Sequence, residues 1–148
     1  ECTNPVKDKW RIRWDVQEKE NGSASYMEEE FGHKPTDEEI HTLVMSWYNS
    51  QTDAAILSGF AYNGAHVWLS VENQYNYKAA YDLAVQTGGE TLPVTFKFGS
   101  DEQPEYHTFT QLEELKDFYT KAVGFIQTVL AEGWEKKDKF NLELYRIE

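Results

Sequence analysis

Four histidines, His33, His41, His66 and His107, are the side chains best suited to hold a metal, and their spacing argues against it. None forms a His-x-His or His-Glu-x-x-His pair with another ligand, the spacings that bring two donors to one face of an element. No Gly-x-Ser-x-Gly elbow is present, and the single cysteine, Cys2, falls in an N-terminal tail expected to be flexible, so no activated nucleophile is expected. The paired glycines Gly88 and Gly89 follow a predicted helix instead of preceding one, the wrong side for a phosphate cradle. Acid/base work needs two carboxylates at a set distance, which 26 scattered acids do not define. The expectation is a protein without enzyme activity, catalytic residue, metal or cofactor.

A different chemistry stands out between positions 62 and 77. Tyr62-Asn63-Gly64, Trp68 and Glu72-Asn73-Gln74-Tyr75-Asn76-Tyr77 place aromatic rings beside amides. A ring covers apolar area while an amide bonds polar edges, so Tyr62, Asn63, Trp68, Asn73, Tyr75 and Tyr77 form a candidate surface for a partner protein or a glycan. Core packing and helix capping would use the same residue types.

The elements that must position these residues are legible from periodicity and turn chemistry. Trp10, Ile12, Trp14 and Val16 alternate with polar residues, and Asn21-Gly22 supplies a turn, which predicts a hairpin over about 9–31. A two-residue loop there would set Arg13 opposite Glu30 and Val16 opposite Met27, with Trp14 facing Glu29. The basic face Lys7, Lys9, Arg11 and Arg13 would be answered by Glu28 to Glu30 within the hairpin.

Thr36-Asp37-Glu38-Glu39 is a capping box opening a helix over about 37–53, with Ile40, Leu43, Val44, Trp47 and Tyr48 on its buried stripe. Asn63-Gly64 centres a second hairpin, about 57–70, with Phe60 across from Val67, Ser58 across from Leu69 and Trp68 over Gly59. Ser70 caps a helix over about 71–87 whose narrow buried stripe is Tyr75, Ala79 and Leu83. A third hairpin, about 92–109, sets Leu92, Val94, Phe96 and Phe98 against Tyr106 to Phe109, with Pro93 at a strand start or edge.

Thr110-Gln111-Leu112-Glu113 then opens a long helix, about 111–133 or longer. It ends at Gly133 with Trp134 folded back on Val129, or it runs through. The tail from Phe140 to Ile147 fits both strand and helix periods. The fold class is α+β, one domain of antiparallel hairpins packed with three helices.

With 148 residues the chain is long enough to bury a real core. A net charge of −12 opposes non-specific binding to nucleic acid or to an anionic membrane, since both are negative. A lone cysteine makes no intramolecular disulfide. No run of some 18 apolar residues occurs and no charged-then-apolar leader is present, so neither a membrane span nor a signal is expected.

The stretches ILSGFAYNGAHVWLSVENQYNYKAAYDLA, LPVTFKF and TQLEELKDFYTKAVGFIQTVLAEGWEKKDKF, within residues 56–140, resemble a domain of unknown function from bacteriophages and prophages, found in tail, tail-fibre and neighbouring proteins. The resemblance implies a hairpin-helix-hairpin-helix core over 56–148 and a hairpin-helix extension over 1–55. It further implies a virion-structural or assembly role in the virion or bacterial cytoplasm, protein partners or self-association, no enzyme activity and no catalytic residue. It also favours a long helix that continues through Gly133.

Overall fold

Alternation builds the first sheet. In the computed structural model, which describes residues 1–145, β2 (Lys9–Glu18) turns Ile12 and Trp14 inward. It pairs antiparallel with β3 (Ala24–Phe31) on one side and with β1 (Cys2–Asn4) on the other. Cys2 thus sits in a strand, half-buried opposite Trp10, and not in a flexible tail.

The first-hairpin register also differs from the expectation. Arg13 lies opposite Glu28 and Trp14 opposite Met27, because Lys19 bonds to Ser23 around a three-residue loop, one step off the expected turn, and the ladder slips a second step between Trp14 and Gln17. Asp15 takes a left-handed φ of 51° at this irregularity, which throws Val16 out to solvent. The expected charge match is realised through a different partner, Arg13 Nε reaching Glu28 at 2.7 Å, while Arg11 Nε reaches Glu1 at 2.7 Å.

Helix α1 (Asp37–Leu57) begins where the capping box placed it. The Glu39 amide donates to Thr36 Oγ1 at 3.1 Å and the Thr36 amide donates to the Glu39 carboxylate at 3.2 Å. Two otherwise orphaned donors are satisfied reciprocally. Thr36→Ala should therefore lower stability by about 1 kcal/mol, read as a shift in the urea midpoint, whereas Thr36→Ser should recover most of it.

The remaining elements are β4 (Phe60–Tyr62), β5 (Ala65–Val67), α2 (Val71–Gln86), β6 (Val94–Gly99), β7 (Pro104–Phe109) and α3 (Leu112–Asp138). The second ladder holds Phe60 opposite Val67, as expected, but is only three residues long per strand, so Ser58 and Leu69 lie outside it. The third sets Val94 opposite Phe109 and Phe96 opposite His107, and starts after Pro93.

Helix α3 runs through Gly133 to Asp138. A side chain at Gly133 would collide with the Thr52 hydroxyl, so the residue that breaks the helical rule is the one that lets α1 come close. The tail forms a 3-10 turn over Leu142–Tyr145, and Ile147 lies outside the described residues.

The described residues form two compact units, 1–49 with 136–145, and 50–135. In the first, Ile12, Trp14, Ile40 and Val44 are buried together, with Trp47 edge-on to Trp14 at 6.2 Å. In the second, both short hairpins, α2 and α3 enclose an aromatic core of Tyr62, Tyr77, Phe98, Phe109 and Phe118 with Leu69 and Leu115. The chain is α+β, as its periodicities indicated.

Candidate functional site

The six aromatic and amide residues singled out in the sequence lie in the 50–135 unit, and the fold separates them by role. Asn63 and Gly64 take φ of 49° and 83°, the left-handed pair of a type I′ turn, so Asn63 shapes the hairpin. Asn73 serves the start of α2. Its amide donates to the capping Ser70 Oγ at 3.1 Å, and its side-chain Nδ2 donates to the Trp68 carbonyl at 3.0 Å. Gln74 Nε2 similarly reaches the Leu69 carbonyl at 2.8 Å. These amides fasten the helix to the short segment that joins it to β5.

Tyr62 and Tyr77 belong to the core. Tyr62 packs edge-on to Phe118 at 5.1 Å, and its hydroxyl donates to Asp117 Oδ2 at 3.1 Å. Burial first, then the hydrogen bond to Asp117 and its negative charge, pushes the Tyr62 pKa up to about 12. Asp117 is held below the usual carboxylate range by Lys121, which donates to it at 3.0 Å, and next by Tyr62. Lys121 also lies over the Tyr62 ring at 5.4 Å. This arrangement keeps Tyr62 a neutral donor at ordinary pH and fastens β4 to α3. Its signal in the sequence was the Asp-x-x-x-Lys spacing on α3, which puts Asp117 and Lys121 on one helix face.

Tyr77 is 5% exposed, 4.8 Å from Phe96 and 5.0 Å from Phe118, and burial raises its hydroxyl pKa to about 12. The α2 stripe is therefore Tyr77, Tyr81 and Ala84, and not Tyr75, Ala79 and Leu83. Small Ala84 on the inward face permits close approach, and the large residues expected there point outward instead.

Besides Asn63, exposed at its turn, two of the aromatic residues keep an open face. Trp68 is 47% exposed, with its Nε1 donating to the Gly99 carbonyl at 2.7 Å and its ring edge-on to His66 at 4.3 Å. Tyr75 is 72% exposed on the rim of a groove of about 340 Å³ between α2 and α3. Tyr119, Val123 and Ile126 of α3 line that groove. Among the described residues, no group of three His, Cys, Asp or Glu side chains is placed to hold a metal. No helix among them is long and apolar enough to cross a membrane.

A family model described as a domain of unknown function, DUF4376, matches residues 39–148. The chain belongs to this family. The DUF4376 match reaches further than the resemblance drawn over 56–140, because it takes in nearly all of α1 and the chain beyond Phe140. All six candidate residues, Tyr62, Asn63, Trp68, Asn73, Tyr75 and Tyr77, fall within it. The β1 to β3 sheet precedes it. No curated protein and no solved structure matches the chain.

Proposed function

We propose that this DUF4376 protein is a non-enzymatic interaction module of phage or prophage origin, one that packs against copies of itself or against other tail proteins in a virion. The observation that supports an interaction role is the outer face of α2. Val71 and Tyr75 are 76% and 72% exposed, Val85 continues the same stripe, and the Lys78–Asp82 ion pair lies between them. Apolar side chains held on a rigid helix beside an apolar groove are the usual makings of a protein contact. The phage assignment is supported by the resemblance of residues 56–140 alone.

Size-exclusion chromatography with light scattering across a concentration series tests the self-association. The mass should rise with concentration, and Tyr75→Ser should move that rise to roughly tenfold higher concentration, as loss of an aromatic anchor does. A monomer at every concentration overturns self-association as the main role. Gene neighbourhood tests the origin, since a place away from tail genes would contradict it.

A further inference from the structure

The sheet in the first unit ends on an open strand. Among the described residues β3 pairs only with β2, so along its outer side alternate N–H and C=O groups carry no ladder partner. Natural edges of this kind are blunted by short length, proline, covering elements, bulges or charged side chains, and of these β3 has the bulged ladder and the charges Glu28 to Glu30. β3 is eight residues long and contains no proline.

Beside this edge lies a groove of about 560 Å³ between β3 and the first turns of α1, lined by Glu29 and Phe31 from the strand and by Glu38, Glu39, Thr42 and Leu43 from the helix. Register explains why Glu29 is there. It pairs directly with Ile12, and directly opposed residues share a face, so Glu29 projects on the face that Ile12 buries. Phe31 and Met27, two residues to either side, share that face. That face of the strand therefore reads apolar, acidic, apolar, with Glu29 and Phe31 lining the groove from the strand and Leu43 lining it from the helix.

Two of the three acids that line the groove are uncompensated. Arg11 and Arg13 are engaged with Glu1 and Glu28, and Glu39 is held by Thr36 and by His33 at 2.9 Å. Glu29 and Glu38 have no cationic partner among the described residues. A carboxylate without a cation, set between apolar side chains beside an open ladder, is complementary to one kind of occupant.

We infer that β3 accepts an extended segment of a partner protein as a fourth strand, one in which Lys or Arg sits between two apolar residues on the face turned toward α1. The ladder supplies affinity for any extended chain, and the side-chain pattern supplies choice. The basic residue pairs with Glu29 across the strands, within reach of Glu38, while its apolar neighbours meet Met27, Phe31 and Leu43. The strand β3 lies before the DUF4376 match, while Glu39, Thr42 and Leu43 on the helix side of the groove lie within it, and none of these residues belongs to the α2 face.

Fluorescence anisotropy with a short fluorescein-labelled peptide tests the inference, the peptide carrying valine, lysine and valine on one face and threonine on the other. Saturable binding to the full chain that weakens with added salt is expected. Replacing the peptide lysine by glutamate, or changing Glu29→Lys in the protein with its circular dichroism unaltered, should each weaken binding by at least about tenfold, because like charges then meet. N-methylation of the peptide at alternate positions removes the ladder donors and should do the same. Hydrogen exchange should slow in β3 when the peptide is bound. The inference is overturned by absence of binding, by an N-methylated peptide that binds as well as its parent, by an indifferent Glu29→Lys variant, or by protection that appears elsewhere than β3.

Discussion

Replacing Phe118 by alanine should destabilise the protein by about 3–5 kcal/mol, the range for removing a fully buried aromatic ring. Phe118 is completely buried on α3, with Tyr62, Tyr77, Phe98 and Phe109 between 5.0 and 5.4 Å of its ring and Phe96 at 5.6 Å. These neighbours come from four elements, so no single shift can close the space left behind, and both the transfer and the cavity contributions should be felt. Phe60 adds a stacked contact at 6.4 Å. With typical total stabilities of 5–15 kcal/mol, the loss should bring the guanidinium midpoint down sharply while the slope stays unchanged. Phe125→Ala supplies the contrast on the same helix. Phe125 is only half-buried and its one ring partner among the described residues is Phe60, so its loss should cost clearly less. Equal effects from the two substitutions would contradict the placement of Phe118 at the centre of this core.

Much of this fold was legible because its punctuation is local. Thr36 with Glu39 and Ser70 with Asn73 act within one helical turn, and both caps form as their spacing indicated. Asn63-Gly64 sets both its own turn and the register of Phe60 against Val67 through backbone conformation alone. What was not legible depends on partners distant in sequence. Asp15 shifts the β2 ladder, an irregularity that no residue preference announces. Gly133 could not be told from a helix stop, because the reason for it, the Thr52 side chain, lies in another helix.

The candidate surface divided along the same line. Residue type alone cannot say whether a tyrosine beside an amide faces solvent or core. On α2 the inward direction was assigned from Tyr75 and Leu83, the large side chains, yet packing turned the helix so that Tyr77 and Ala84 face inward. Tyr62 entered the core because Asp117, far along the chain, satisfies its hydroxyl. The one open aromatic on this helix is Tyr75, and it is left on the rim of a groove whose far wall, Tyr119 and Ile126, comes from α3. The inward side of this helix was decided by elements that periodicity cannot bring together.

The second large effect is expected at a glycine. Gly59 precedes the short hairpin, Gly64 sits in its turn, and the two take nearly the same φ, 78° and 83°. Their surroundings differ. A Cβ at Gly64 would meet nothing within 4 Å, whereas a Cβ at Gly59 would collide with the backbone carbonyl of Val67. Both alanine variants bear the left-handed penalty of roughly 1–2 kcal/mol. Only Gly59→Ala must also push aside main chain, a further cost of about 1–3 kcal/mol. That displacement falls on β5, where Val67 is fully buried and Ala65 and Leu69 lie in the same core. Gly59→Ala should therefore lose about 2–5 kcal/mol and Gly64→Ala about 1–2, with Gly64→Asn milder still, since asparagine tolerates this region. Chemical denaturation of the three variants separates the two causes. If Gly59→Ala and Gly64→Ala lost the same stability, close approach would contribute nothing and backbone conformation alone would account for both glycines.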